Sequence, residues 1–321
     1  MEQKAVIQFF SRVMIYLSPI LILMLSLEIT QRKLPNDYSH KKEMLESKLG
    51  SIESLILGTS HSYMGINPSM FEGKAFNLAS TAQTLYFDRF LFEKYHQDMP
   101  KLKRLILPIS YSSLGTEAYL NPGVFNKSYH FAYFYGSKAF INKLAPRRFS
   151  LVSLFTVKRS VDRTLAYYQG EDDLVESDEY GWYVGDDAPK DPEASGKTTG
   201  AIHDSYYDEK LIPENLNHIA RIIEACKESD IEIYLVSLPM YKSYMETVKQ
   251  ERYELMVQKV DSLAHEYEIS YFNHTFDDRF VIGDFFDSNH LNEKGAGIFT
   301  EELIRNIDRK ETLSNLAGSR R

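Results

Sequence analysis

A single cysteine, Cys226, stands among the 321 residues. One thiol excludes an intramolecular disulfide framework and any Cys-rich metal site, though it does not report the compartment. Basic residues are the minority, 37 Lys and Arg against 45 Asp and Glu, and the net charge of −8 argues against nucleic acid as a partner. Tryptophan is nearly absent, with Trp182 alone beside 22 Tyr and 19 Phe. No internal repeat or low-complexity tract is present. The acidic, turn-rich stretch Glu171 to Ala194 lacks a D-x-D-x-D-G pattern, so a calcium loop is not indicated and a solvated surface is expected.

Charge is also scarce at the N-terminus, where Ala5 to Leu27 carries Arg12 as its one charged residue. As a helix this run spans ~34 Å, enough to cross a hydrocarbon core. No small-x-small cleavage site follows Leu27, and the chain runs on as Glu-Ile-Thr-Gln-Arg-Lys. An uncleaved single-pass anchor over residues 1–30 is therefore expected, with a buried soluble helix as the rival reading. Lys4 and Arg12 favour an inside N-terminus and an extracytoplasmic domain, a bias blunted by Arg32, Lys33, Lys41 and Lys42. Residues 31–50 are polar and charged and read as a stalk with a short helix.

Beyond the stalk, short apolar runs predict strands at 54–57, 74–78, 102–109, 231–238 and 269–272. Helical spacing predicts helices over about 83–97, 213–228 and 243–267, and a last one from near Asn292. Near-continuous apolar strands alternating with helices indicate an α/β domain over 51–309 with a parallel sheet covered on both faces. The alternation breaks over 112–212, an insertion between strands three and four that contains an aromatic run at 129–135 and a helix-like stretch at 151–168. The tail, 310–321, is polar and expected to fray.

Two segments carry candidate chemistry. In Leu55-Ile-Leu-Gly-Thr-Ser60 an apolar strand stops at Gly58, and Ser60 lies in the following turn. The carboxyl ends of parallel strands are where ligands bind. A serine after a strand is common, so this signal is weak alone. In Asp284-Phe-Phe-Asp287-Ser-Asn-His290-Leu-Asn292 an aspartate and a histidine stand three apart before a helix that Asn292 can cap. A serine nucleophile needs an imidazole to take its proton and a carboxylate to orient that imidazole, and a D-x-x-H turn holds both. The pair also suits a helix brace. A metal site at Asp284, Asp287 and His290 is the third reading, but no second histidine lies in the segment, and no metal or cofactor is expected.

An early strand–Gly-x-Ser turn together with a late D-x-x-H-L-N-x-x-G-A segment resembles the SGNH/GDSL hydrolase superfamily. The resemblance covers roughly Glu53–Ile109 and Ile231–Ile307 and leaves out the insertion. It implies a flavodoxin-like three-layer sandwich, with Ser60 as nucleophile after strand one and Asp287 and His290 on the last loop. The anchor, the G-T-S-H-S form and the Asn-Leu-Ala-Ser block look most like the extracytoplasmic branch that modifies polysaccharides or cell wall, which includes relatives of alginate O-acetylation proteins. Departures are visible. Thr59 stands where the family has an acidic residue, and the glycine of the second block falls on Ala82; the chemistry needs only a backbone N–H there, so alanine is tolerable if its φ is negative. After strand three Ser110 stands near where the family supplies an asparagine.

The resemblance implies ester hydrolysis or O-acyl transfer on a cell-envelope carbohydrate or a small ester, with the oxyanion on Ser60, Ala82 and Ser110. A membrane acyltransferase is the partner it suggests. The alternative is an inactive SGNH-shaped binding or assembly subunit, which the missing asparagine favours. His61 adjoins Ser60 without a carboxylate partner in sequence and is expected to line the pocket, and Asn77 to hold the second-block loop. Trp182 and Tyr133 are candidates for stacking on sugar, with the insertion's own core as the other reading.

Overall fold

The computed structural model describes residues 2–118, 128–138, 157–170 and 174–318. The remainder of the insertion, including 151–156 of the expected helix and 171–173 of the acidic loop, lies outside the described residues, as do 319–321. The chain divides into two compact units, one comprising Met1–Asp37 with Lys138–Glu176 and the other Tyr38–Ser137 with Ser177–Arg321.

The first unit is built on helix α1 (Glu2–Lys33). It is long and apolar enough to cross a membrane or to act as a signal sequence, and large apolar side chains from Val6 to Ile29 stay exposed. The helix α6 (Val157–Gln169) joins it, because the Gln31 amide donates to the Ser160 carbonyl at 3.0 Å and to Thr164 Oγ1 at 2.9 Å. That part of the insertion groups with the N-terminal helix.

The second unit is α/β. Five strands, β1 (Ser54–Ile56), β2 (Ala75–Asn77), β3 (Arg104–Pro108), β4 (Glu232–Ser237) and β5 (Ser270–Asn273), form one parallel sheet in the order β2-β1-β3-β4-β5. The expected strands all appear, one or two residues shorter at most ends. Strands β1 and β2 are buried throughout, which is why their apolar runs are unbroken. Helix α8 (Ile212–Glu228) buries Ile219, Ile222, Ile223 and Cys226, and packs beside α4 (Leu85–Tyr95). Helix α11 (Glu293–Gly318) buries Phe299, Leu303 and Ile307 in a cluster with Ile56, Ile106 and Val236. Each such side chain contributes roughly 1.5–3 kcal/mol by leaving water.

The short helix expected within 31–50 is α2 (Asp37–Lys48), with Leu45 fully buried; Lys41, 1% exposed, donates to the Ala79 carbonyl and lies 3.5 Å from the Tyr63 ring centroid. Two expectations change. The expected helix 243–267 is two, α9 (Lys242–Met245) and α10 (Gln250–Glu266). The polar tail is helical to Gly318, with Glu311 paired to Arg104 at the start of β3.

The sheet order has a functional consequence. Crossovers leave β1 in opposite directions, towards β2 and then back to β3, opening a crevice at the strand carboxyl ends between them. Ser60 and Ser110 follow β1 and β3 and therefore reach this crevice.

Candidate active site

The turn after β1 that carries Ser60 is built by Gly58. Its φ of +108° suits glycine, and a Cβ there would meet Ser62 Oγ at 2.6 Å and Pro108 Cδ at 3.2 Å. Thr59 then caps α3 (Ser60–Gly65), its hydroxyl accepting the His61 N–H at 3.3 Å. Threonine thus serves as a cap at the position where the resembled family carries an acid. Ser60 becomes the first helical residue. Asn77, 0% exposed, donates to the carbonyls of Ser62 and Ile66 at 2.8 and 3.0 Å, tying α3 to β2 from below rather than facing the cavity.

The D-x-x-H loop is set by Asp287 and Asn292. Asp287 Oδ1 accepts the N–H groups of Asn289 and His290 at 3.0 and 2.9 Å, curling the D-x-x-H turn on itself. Asn292 Oδ1 accepts the Gly295 N–H at 3.0 Å and starts α11. In this turn His290 Nδ1 donates to the Asp287 carboxylate at 2.9 and 3.0 Å. That leaves Nε2 as an acceptor, 2.8 Å from Ser60 Oγ. Burial works to raise the Asp287 carboxyl, but the hydrogen bond and charge of His290 outweigh it and hold the group at about 2. Asp287 is ionised across the neutral range.

A cavity of about 360 Å³ opens over this chain of hydrogen bonds and is lined by Ser60, His61, Ala82, Ser110, Asp287 and His290. Six of the residues named from sequence therefore meet in one place. Hydroxyl-bearing residues recur in the rest of the lining, among them Thr81, Thr84, Ser112, Ser113, Thr116 and Thr199, beside apolar surface from residues such as Leu85, Pro108 and Ile202. His61 Nε2 accepts from Asn289 Nδ2 at 2.9 Å, and burial with the nearby His290 keeps its pKa well below the usual histidine value.

Ala82 departs from the expected backbone. Its φ is +59°, left-handed, where a non-glycine residue costs roughly 1–2 kcal/mol. The strain sits in the loop that closes over Ser60, held by Ser80 N–H on the Gly58 carbonyl at 3.2 Å. Ser110 hydrogen-bonds Ser113 through its side chain at 3.1 Å and through its N–H at 2.8 Å.

Two candidates lie elsewhere. Trp182, 8% exposed, donates its indole N–H to the Met64 carbonyl at 3.0 Å and borders a second cavity of about 220 Å³ with Phe286 and Asn292. Tyr133, on α5 (Ser128–Tyr135), is 47% exposed and lines neither cavity, whereas its neighbour Phe131 is buried and stacks on Phe87. The buried members of the run, Phe131 and Tyr135, thus pack against Phe87 and Tyr95 of α4.

Several site residues were missed in the sequence. Asp88, 2% exposed, accepts the Gly58 N–H at 2.8 Å and the Gln83 amide at 2.6 Å, so one carboxyl ties the nucleophile turn to the residue after Ala82. Burial raises its pKa to about 7 against the pull of those two donors. From the insertion come Lys190, Thr199, Ile202, His203 and Tyr206. The insertion also braces the D-x-x-H loop, with Lys190 N–H on the Phe286 carbonyl at 2.8 Å and Ser288 N–H on Ser195 Oγ at 3.0 Å. Asp88 lies one helical turn after Thr84, the single signal that sequence offered; nothing in the pattern marked His203.

No family model and no curated protein matches the chain. Among solved structures it is similar to a Bacteroides fragilis protein assigned as an acylhydrolase, at 10% identity and a TM-score of 0.44, over 85% of this chain and 95% of that one. It is also similar to a GDSL-like lipase from Bacteroides thetaiotaomicron, at 11% identity and a TM-score of 0.43, over 86% of this chain and all of that one.

Proposed function

We propose that the chain is a serine-dependent acyl-transfer enzyme of the SGNH type, acting on an acylated carbohydrate of the cell envelope. The observation that carries this reading is the continuous chain Ser60–His290–Asp287, with a 2.8 Å contact between hydroxyl and imidazole, in an open cavity at the carboxyl end of β1. Ser60 Oγ attacks the ester carbonyl carbon while His290 Nε2 takes its proton, and ionised Asp287 stabilises the resulting imidazolium. The carbonyl oxygen becomes an oxyanion against the N–H group of Ser60. Collapse breaks the bond to the alcohol, which receives the proton from His290. Water, or a sugar hydroxyl, then gives its proton to His290 and attacks the acyl-serine, and the bond to Ser60 Oγ breaks as that oxygen takes the proton back from His290. The first acceptor makes an esterase and the second an O-acyltransferase.

The hydroxyl groups in the lining, among them Thr84, Ser112 and Thr199, supply hydrogen-bond partners for a polar acceptor such as a sugar. Helix α1 serves in this reading as a single-pass anchor with the α/β unit outside the cytoplasm, where a membrane acyltransferase would supply acyl groups. A fluorophosphonate probe tests the chemistry: wild-type protein should be labelled at Ser60 and Ser60→Ala should not. An unlabelled wild type, folded by its melting curve, favours the non-catalytic assembly subunit. Alkaline carbonate extraction of membranes tests the anchor, which should hold the full chain in the pellet.

A further inference from the structure

Helix α7 (Pro192–Ser205) presents Thr199, Ile202 and His203 to the cavity that holds Ser60 and His290. Positions i, i+3 and i+4 share one helical face. Its glycines Gly196 and Gly200 sit so close to Ser243 and Thr247 that a Cβ at either would collide with their side-chain oxygens. Thr247 Oγ1 donates to the Gly196 carbonyl at 3.0 Å, and Ser243 Oγ to the Pro192 carbonyl at 2.6 Å. The helix is therefore clamped to α9 and the segment after it, and the His203 ring has a set position.

His203 Nδ1 lies 2.8 Å from the hydroxyl of Tyr244, a residue 0% exposed. Among the described residues this is the one hydrogen bond of either group. Two arrangements satisfy the distance. If the imidazole donated from Nδ1, the phenol hydrogen would be buried with no acceptor. If the phenol donates to Nδ1, both groups are satisfied, and the ring hydrogen must then sit on Nε2. Burial, with the nearby charge of His290, pushes the ring's pKa down to about 4, so it stays neutral in the working range. Tyr244 takes Nδ1, whereas His203 itself is only partly buried and lines the cavity. Nε2 has no hydrogen-bond partner among the described residues and is not a fully buried atom.

We propose that His203 is a substrate-contacting residue whose Nε2–H, fixed by Tyr244, donates a hydrogen bond to an oxygen of the ester bound at Ser60. The inference rests on the acyl-transfer reading of the same cavity. A neutral imidazole suits this role because it donates without adding a charge that would raise the cost of forming the His290 imidazolium nearby.

Two substitutions separate a donor from a brace. In His203→Gln the side-chain amide reaches the place of Nε2 and keeps a donor in the cavity. In His203→Asn the amide occupies the place of Nδ1, keeping a partner for Tyr244 and losing the donor. With a small aryl acetate, kcat/KM should fall tenfold or more for His203→Asn and stay within about threefold for His203→Gln. Both variants should melt near the wild-type temperature. The reverse ranking, or equal losses, overturns the proposal. Nitrogen-15 NMR of the wild-type chain gives an answer independent of turnover: the ring should carry its hydrogen on Nε2, and a hydrogen on Nδ1 overturns the proposal. Tyr244→Phe should shift the ring towards a mixture of the two forms, and an unchanged Nε2–H signal would refute Tyr244 as the cause. If the wild type neither turns over ester nor labels at Ser60, the acyl-transfer reading fails, and with it the contact to substrate; the NMR result still decides the tautomer.

Discussion

Replacing Asp88 by asparagine should make the protein more stable at alkaline pH while leaving it nearly unchanged in acid. Asp88 is 2% exposed, and burial raises its pKa from 3.8 to about 7. Below pH ~4 the folded and unfolded chains both hold the proton, and the protonated group's contribution is whole. Between pH 4 and 7 the unfolded chain releases the proton while the folded chain keeps it, so stability falls as pH rises. Above 7 both have released it and the loss is complete, at roughly 4 kcal/mol for a shift of this size. From pH 5 to pH 8 the share lost is about 2.5 kcal/mol. Asparagine keeps an oxygen for the Gly58 N–H and the Gln83 amide and has no proton to lose. Urea denaturation of the full chain in detergent, followed by Trp182 fluorescence, gives stability at each pH. The gap between Asp88→Asn and wild type should widen by about 2.5 kcal/mol across that range. Parallel pH dependences for the two proteins would refute the reasoning, because they would mean that Asp88 does not change its protonation on unfolding in that range. Asp88→Ala is the control: it strands both donors, at about 1–3 kcal/mol each, at every pH.

Ser60→Ala, His290→Ala and Asp287→Ala should each cut aryl acetate turnover by orders of magnitude, with a triple variant little worse than the worst single one; wild-type turnover in Ser60→Ala would end the assignment. Ala82→Gly relieves a left-handed residue and should raise stability by about 0.5–1 kcal/mol after the entropy of glycine is subtracted. Its kcat/KM should stay within a few-fold, and a destabilised variant would show that the methyl group packs usefully. Trp182→Ala should lose ~3 kcal/mol of stability through its buried ring, whereas Tyr133→Ala should stay within ~0.5 kcal/mol. Equal melting temperatures for those two variants would contradict the burial difference.

How much of this was legible before the structure depends on how local each signal is. Strand β1, the glycine that ends it and the capped turn holding Ser60 are consecutive residues, so their apolar run and turn chemistry could be read directly. The same holds for Asp287-x-x-His290, where the carboxylate, the imidazole and the two backbone N–H groups that orient them lie within four residues. Parallel strands buried on both faces write themselves as short apolar runs, and the five appear where expected. The left-handed φ of Ala82 was not legible, since alanine carries no mark of the conformation its loop imposes. Lys41 looked like a solvated stalk residue, and only the approach of Ala79 and Tyr63 from other elements makes it a buried cation. Trp182 and Tyr133 looked alike as aromatic candidates until packing covered one and left the other exposed.

The sequence by itself determined the repeating order of strand and helix, the apolar N-terminal helix, and which serine, histidine and aspartate are chemically suited to one another. It could do so because each of these depends on side-chain periodicity or on residues within one turn of each other. Tertiary structure alone decided that Ser60 and His290, 230 positions apart in the chain, come within 2.8 Å. It alone decided that Asp88 bridges the nucleophile turn and the neighbouring loop, and that His203 from the insertion enters the same cavity. Those contacts follow from the strand order β2-β1-β3-β4-β5 and from helices packed across it, and no local pattern encodes which distant loops a sheet will bring to one edge.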